Sequence, residues 1–226
     1  MSQLALPLQL QDHAVFESFW PAGNQAVVAF LMNLSEGKQA AGCWIWGKGA
    51  TGKSHLLQAV CARLGDRSIY VPLGAFVTAG PGILEGLALR HCICLDDIDA
   101  VAADPAWEMA LFTLFNQVTD SGGVLLVTAS AAPRETAFRL ADLRSRMSLL
   151  PVFQLQQLNE DDRLLALQLR ARHRGLDLPA DTASYLMSRT KRDMSSLYEL
   201  LDRLDAEALR TQRRLTIPFV RSVIES

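Results

Sequence analysis

The stretch that most constrains this chain is Gly47-Lys48-Gly49-Ala50-Thr51-Gly52-Lys53-Ser54. It satisfies GxxxxGK[ST] at every fixed position. Apolar residues 42–46 precede it, and residues 55–64 are long enough to form a helix after it. A strand, a glycine loop and a helix in that order make a cradle for phosphate. Gly47, Gly49 and Gly52 allow the backbone to turn its N–H groups inward. The helix start adds partial positive charge. Lys53 is placed to reach the β- and γ-phosphates of a nucleotide, and Ser54 offers a hydroxyl to Mg²⁺. Thr51 lies inside the loop, and His55 is a polar residue at the opening of the helix.

A second motif lies where the first requires it. Cys92-Ile93-Cys94-Leu95 runs into Asp96-Asp97-Ile98-Asp99. A hydrophobic strand ending in carboxylates sets them beside a phosphate loop at the carboxyl edge of a sheet. Asp96 is the expected partner for Mg²⁺, partly through water. Asp97 is the expected catalytic acid, in the place where a longer glutamate often polarises water. Residues 124–128 form another buried-strand candidate, followed by Ala129-Ser130. Thr128 and Ser130 are candidate sensors of the γ-phosphate or of a water. Asp99 and Asp104 read as surface acids.

The strand candidates are residues 42–46, 68–73, 92–95, 124–128 and 149–153, with stretches long enough for helices between them. That alternation predicts an α/β fold with a parallel five-stranded sheet. From Asn159 onward the pattern is helical. Asn159 is an N-cap with Asp162 in the first turn, and Gly175 closes that helix. A second helix is expected over 179–188 and a third over 193–213, with Leu197, Leu201, Leu204 and Ala208 on one stripe. A short last helix starts near Pro218.

Composition narrows the function classes. The 226 residues carry 22 basic and 24 acidic side chains, a net charge of −2, which argues against a wholly basic nucleic-acid wrapper. The charge is uneven: residues 1–133 hold 6 basic and 11 acidic groups, and residues 134–226 hold 16 and 13. Arg170, Arg172, His173 and Arg174 in the second part read as a solvated helix face. No apolar run is long enough to predict a membrane span. The first ten residues have neither the charge nor the apolar core of a secretory signal. Cys43, Cys61, Cys92 and Cys94 form no Cys-x-x-Cys pair and read as buried free thiols, which suits a cytoplasmic protein.

These motifs together resemble the AAA+ ATPases, and among them the replication initiator DnaA. Asn24, following Phe19-Trp20-Pro21-Ala22-Gly23, resembles the segment that packs near adenine. Gly52-Lys53-Ser54-His55-Leu56-Leu57-Gln58-Ala59 and Leu95-Asp96-Asp97-Ile98 are similar to that family's loop and acid motif. Arg192-Asp193-Met194 is similar to the start of its lid helix, where Arg192 would be the second sensor arginine. The resemblance implies a P-loop AAA+ domain with a small C-terminal helical lid domain, binding ADP or ATP with Mg²⁺. The expected division is a flexible segment over 1–18, the nucleotide-binding α/β domain over 19–155 and the lid over 156–226.

That division leaves no room for DnaA's own N-terminal and DNA-binding C-terminal domains. It resembles the Hda family of DnaA-related regulators of replication initiation, as do residues 19–24 and the tail Gln212-Arg213-Arg214-Leu215-Thr216-Ile217-Pro218-Phe219-Val220. The implied activity is to promote hydrolysis of ATP held by DnaA. In Leu143-Arg144-Ser145-Arg146-Met147, Arg146 would be the finger donated in trans, with Arg144 the weaker candidate. Gln3-Leu4-Ala5-Leu6-Pro7-Leu8 resembles a peptide that binds the DNA polymerase sliding clamp. Leu6 and Leu8 would be its anchors, Leu4 a neighbouring contact and Gln3 the source of amide hydrogen bonds. The implied partners are the clamp, DnaA and a possible second copy, with DNA reached through the clamp and no membrane. Two alternatives stay open: an autonomous AAA+ ATPase or loader using its own ATP, and a DNA-binding initiator module.

Overall fold

Each crossover of this chain returns the backbone to the same sheet in the same direction. In the computed structural model, residues 14–37, 42–190 and 193–225 are described. Helix α1 (Gln25–Ser35) leads into β1 (Cys43–Trp46), the phosphate loop and α2 (Lys53–Leu64). Strands β2 (Ser68–Pro72) and β3 (Cys92–Asp96), helix α3 (Pro105–Asp120), β4 (Val124–Ala129), α4 (Ala141–Met147) and β5 (Val152–Gln154) complete the α/β body. The five strands are all parallel, in the order β2-β3-β4-β1-β5. β3 and β4 are buried along their whole length, so both read as unbroken apolar runs rather than alternating ones.

Layers on the two faces of the sheet form separate cores. Leu31, Leu56, Leu57 and Val60 of α1 and α2 pack on one face with Ile45 and Leu126. Trp107, Leu111 and Leu114 of α3 pack on the other with Trp44, Ile93 and Val127. All four cysteines are buried and free, as expected from their spacing, and they belong to the α1–α2 face. Gly42 is required where β1 begins, because a Cβ there would sit 1.9 Å from the Leu125 carbonyl oxygen.

The region between β2 and β3 departs from the expected helix. It contains three short 3-10 turns, Leu73–Ala79, Pro81–Leu84 and Leu87–Leu89. Gly80 and Gly86 have φ of +81° and +76°, conformations that interrupt a right-handed helix. β5 also starts later than expected. Leu149 and Leu150 close the turn after α4 by donating to the Arg146 and Met147 carbonyls, and pairing with β1 begins at the Pro151 carbonyl, which accepts from the Trp44 amide at 2.8 Å. Asp104 is exposed, as read, but is also the cap of α3, accepting from the Ala106 and Trp107 amides at 2.9 and 3.2 Å. Glu108 was not foreseen. Its buried carboxylate accepts from the amides of Ala103, Arg139 and Leu140 at 2.9, 3.0 and 2.6 Å, so it braces the segment leading into α4.

The lid is a helical unit with its own core. It comprises α5 (Glu160–His173), α6 (Ala180–Arg189), α7 (Met194–Thr211) and α8 (Ile217–Ile224). Leu167, Leu186, Leu201, Leu204 and Val220 meet in its interior, and the stripe read on α7 is buried. Asn159 caps α5 through the Asp162 amide at 2.8 Å. Asp193 caps α7 through the Ser196 amide at 2.9 Å.

The reading of the 170–174 cluster as one solvated face is corrected. Arg172 and His173 are exposed, but Arg170 is buried, and Arg174 turns inward to pair with Asp202 and, at 3.7 Å, Asp205. α5 places Arg170 beside Leu167 and Ala171, on its apolar stripe. Trp20 Nε1 donates to Asp162 Oδ1 at 2.9 Å, tying the segment before α1 to the lid. Among the described residues, no helix is long and apolar enough to cross a membrane.

Candidate nucleotide site

The loop from Gly47 to Gly52 leaves the carboxyl end of β1 and enters α2 at Lys53. Gly49 and Gly52 adopt φ of +69° and +90°, and a Cβ on Gly52 would lie 2.7 Å from the Phe19 ring. A Cβ on Gly47 would meet Thr51 Oγ1 at 2.9 Å and the Leu155 carbonyl oxygen at 3.0 Å. Lys53 is buried, and its ammonium donates to the Gly47 and Gly49 carbonyls at 2.9 and 3.2 Å. Thr51 Oγ1 is buried with no hydrogen-bond partner. An orphaned hydroxyl, glycines that tolerate no side chain and a lysine folded over the loop fit a polyphosphate group. Ser54 and Asp96 are the residues that would hold its Mg²⁺. When bound, that ion would neutralise phosphate charge.

A cavity of about 520 Å³ opens between this loop and the lid. Gly49 through His55, Gln58 and Asp97 line its body side, and Ala166, Arg170, Met194, Ser195 and Tyr198 line its lid side. Phe19, Trp20, Asn24 and Leu158 complete the wall. One end is therefore rich in backbone N–H and lysine charge. The other carries Phe19, Trp20, Leu158, Met194 and Tyr198 together with the Arg170 guanidinium.

At the acid edge, Asp96 is buried at the end of β3. Tyr70 Oη donates to its Oδ2 at 2.6 Å. Thr128 Oγ1 donates to its Oδ1 and accepts from the Asp97 amide at 2.9 Å. Burial and the adjacent Asp96 hold the Tyr70 phenol well above its usual pKa, so it stays a donor. Asp97 has a left-handed backbone, φ 54°, and its carboxylate is exposed beside the loop. Desolvation and then Asp96 raise its pKa, and Lys53 opposes the rise.

The two sensor candidates do not line the cavity. Thr128 is turned to Asp96. Ser130 Oγ donates to Asp99 Oδ2 at 2.5 Å, and its amide also faces that carboxylate. Asp99 is thus more than a surface acid.

At the nucleoside end, Asn24 is buried with its amide committed to backbone. Its Nδ2 donates to the Ala22 and Gln156 carbonyls at 3.1 and 3.2 Å, and Oδ1 accepts from the Gln156 amide at 2.8 Å. It shapes the wall by joining the start of α1 to the segment after β5. His55 Nε2 lies 2.8 Å from the Val15 carbonyl, which can only accept, so that nitrogen carries the proton. Its ring packs edge-on against Phe19, 5.4 Å between centroids. Burial lowers its pKa to about 4, so it is neutral near pH 7. Arg170 lies 4.2 Å from the Tyr198 ring centroid. Burial pushes the Tyr198 phenol up to about 12 and lowers the Arg170 pKa.

Sequence reasoning missed Tyr70, Arg170 and Tyr198 as parts of this site. Arg170 left a signal, an arginine on an apolar helical stripe. Tyr70 left none beyond its place in a strand. Arg144 and Arg146 lie outside the cavity on α4, both exposed, and among the described residues neither guanidinium makes an ion pair or hydrogen bond. Arg192, and Gln3, Leu4, Leu6 and Leu8, lie outside the described residues.

Residues 160–224 match the family model described as "Hda, lid domain". The whole chain is similar to domain III of the Thermotoga maritima replication initiation protein DnaA. The TM-score is 0.77 at 18% identity, covering 95% of this chain and 96% of that one. Against AMPPCP-bound DnaA from Aquifex aeolicus the TM-score is 0.63 at 19% identity, with 80% of this chain covering 61% of that chain. The Thermotoga maritima RuvB Holliday junction branch migration motor gives 0.63 at 15% identity, covering 89% and 67%. The chain therefore shares the fold of DnaA domain III and of RuvB, an α/β body with a parallel five-stranded sheet, and its C-terminal helical region matches the Hda lid domain.

Proposed function

We propose that this chain is a nucleotide-dependent negative regulator of replication initiation that promotes hydrolysis of ATP bound to DnaA. The observation that carries this reading is the Hda lid match over residues 160–224, joined to a body with the DnaA domain III fold. In this reading Gly47, Gly49, Thr51, Gly52 and Lys53 cradle the phosphates of ADP or ATP. Ser54 and Asp96 hold Mg²⁺. Phe19, Asn24, His55 and the lid enclose the nucleoside, and Arg192 serves as the second sensor arginine. The bound nucleotide sets the angle between lid and body. Arg146 acts on a neighbour: its exposed guanidinium is presented to ATP held by DnaA, where it stabilises charge developing on the transferred phosphoryl group. The first residues, through Gln3, Leu4, Leu6 and Leu8, dock on the sliding clamp and so bring the regulator to loaded DNA.

A second reading is hydrolysis of the chain's own ATP, favoured by Asp97 standing beside Lys53 and Asp96. One experiment separates the two. Phosphate release from ATP-bound DnaA is measured with and without this protein on DNA-loaded clamp, using wild type, Arg146→Ala and Gln3→Ala/Leu6→Ala. The regulator reading expects a large stimulation that both variants lose. No stimulation by folded, nucleotide-bound protein overturns it, and turnover by this chain alone would then support the second reading.

A further inference from the structure

We propose that Tyr70 is a positioning residue that makes nucleotide binding by this chain nearly independent of Mg²⁺. The inference rests on the nucleotide reading above. A carboxylate buried at a strand end needs its charge answered. In a metal site the cation does much of this. Two hydroxyls of this chain also answer it. Tyr70 donates to Asp96 Oδ2 at 2.6 Å, and Thr128 donates to Oδ1. The direction of the second bond is fixed, because Thr128 Oγ1 already accepts the Asp97 amide and has one proton to give. Both Asp96 oxygens are therefore engaged by donors supplied by neighbouring strands β2 and β4. Ser54, the other residue suited to the cation, lies against the same phenol, as does Gln58.

A cation approaching Asp96 must share oxygens already engaged or displace the phenol. Either route offsets part of what the ion gains. The phosphate cradle itself, made of backbone N–H groups and Lys53, needs no metal to attract a diphosphate. Removing only the phenolic oxygen leaves the ring packed and releases one Asp96 oxygen.

The test is the affinity of the full chain for a fluorescent ADP analogue, in EDTA and in millimolar Mg²⁺, for wild type and Tyr70→Phe. Wild type is expected to differ by less than about threefold between the two conditions. Tyr70→Phe is expected to raise that ratio about tenfold, equivalent to ~1.4 kcal/mol. The increase should vanish in Tyr70→Phe/Asp96→Asn. An unchanged ratio in folded Tyr70→Phe, or a change equal in both conditions, overturns the proposal while leaving nucleotide binding intact. A wild-type affinity that falls tenfold or more in EDTA overturns it without any variant. Absence of ADP binding by wild type in both conditions overturns the nucleotide reading and this inference together.

Discussion

The two sides of the cavity are built on different principles. The body places its polar groups by strand register. Trp46 of β1 lies beside Ala129 of β4, and Leu95 of β3 beside Val127, so the loop after β1 and the acids after β3 arrive at one edge of the sheet. Asp96 there is held by hydroxyls from the two neighbouring strands, and Lys53 by carbonyls of its own loop. The lid instead places Arg170 and Tyr198 by helix packing, with a buried cation over a ring and a second arginine paired with Asp202 and Asp205. Backbone pairing is cooperative and stiff, whereas a small helical core can shift as a unit. In the proposed function the body is therefore assigned the fixed half of the site and the lid the half that responds to nucleotide.

The largest expected effect breaks the body. Glu108→Ala strips a buried carboxylate from three backbone amides, and each unsatisfied donor costs about 1–3 kcal/mol. We expect a loss of roughly 3 kcal/mol or more in urea unfolding, with α4 and Arg146 loosened first. Hydrogen exchange slowest to change in α4 would contradict the bracing role.

Acid should act next, through His55 at the joint between α2 and the segment before α1. Its folded pKa, about 4, is below the ordinary 6.5 because burial disfavours the cation. The unfolded chain therefore takes up the proton first as pH falls. This contribution is complete above about pH 6.5 and is lost progressively down to about pH 4. Between pH 7 and 5 it amounts to ~2 kcal/mol. Thermal or urea unfolding of His55→Gln should be flatter than wild type across that interval, and identical slopes would remove His55 from the account.

Two substitutions sharpen the contrast on the lid side. Methionine keeps the length and apolar contact of the arginine stem while removing the desolvation cost of the buried charge. Arg170→Met should therefore unfold within about 1 kcal/mol of wild type but bind ADP about tenfold more weakly, ~1.4 kcal/mol. Unchanged affinity would make Arg170 a packing residue only. The smallest effect is Trp20→Phe, which removes the bond to Asp162 and should cost about 1 kcal/mol. Limited proteolysis should then cut the lid faster while leaving the body intact, and equal protection of both would show that the bond does not couple them.

How much was legible follows the same division. The glycine loop, the apolar run ending in Asp96 and Asp97, and the cap Asn159 are local patterns whose chemistry demands particular residues at particular spacings. Each was readable without a fold. The missing helix between β2 and β3 was readable in principle from Gly74, Gly80, Gly82 and Gly86, but an apolar segment of that length invites a helix until the positive φ angles are known. Glu108 and Tyr70 were not readable, because their partners lie 31–32 and 26 residues away and no periodicity marks them.

The sequence by itself determined that this chain would pair a parallel sheet with a glycine-rich strand-to-helix loop and follow them with a helical region. Those features depend on residues close together in the chain, through backbone freedom, apolar periodicity and capping. Tertiary structure alone decided that Asp96 is held by two hydroxyls, that Asn24 is spent on bracing, that Thr128 faces an acid rather than the cavity, and that Arg170 is a buried wall. Each depends on which side chains meet across strands and layers once the core closes, and hydrogen bonds made at those distances have no counterpart in local sequence.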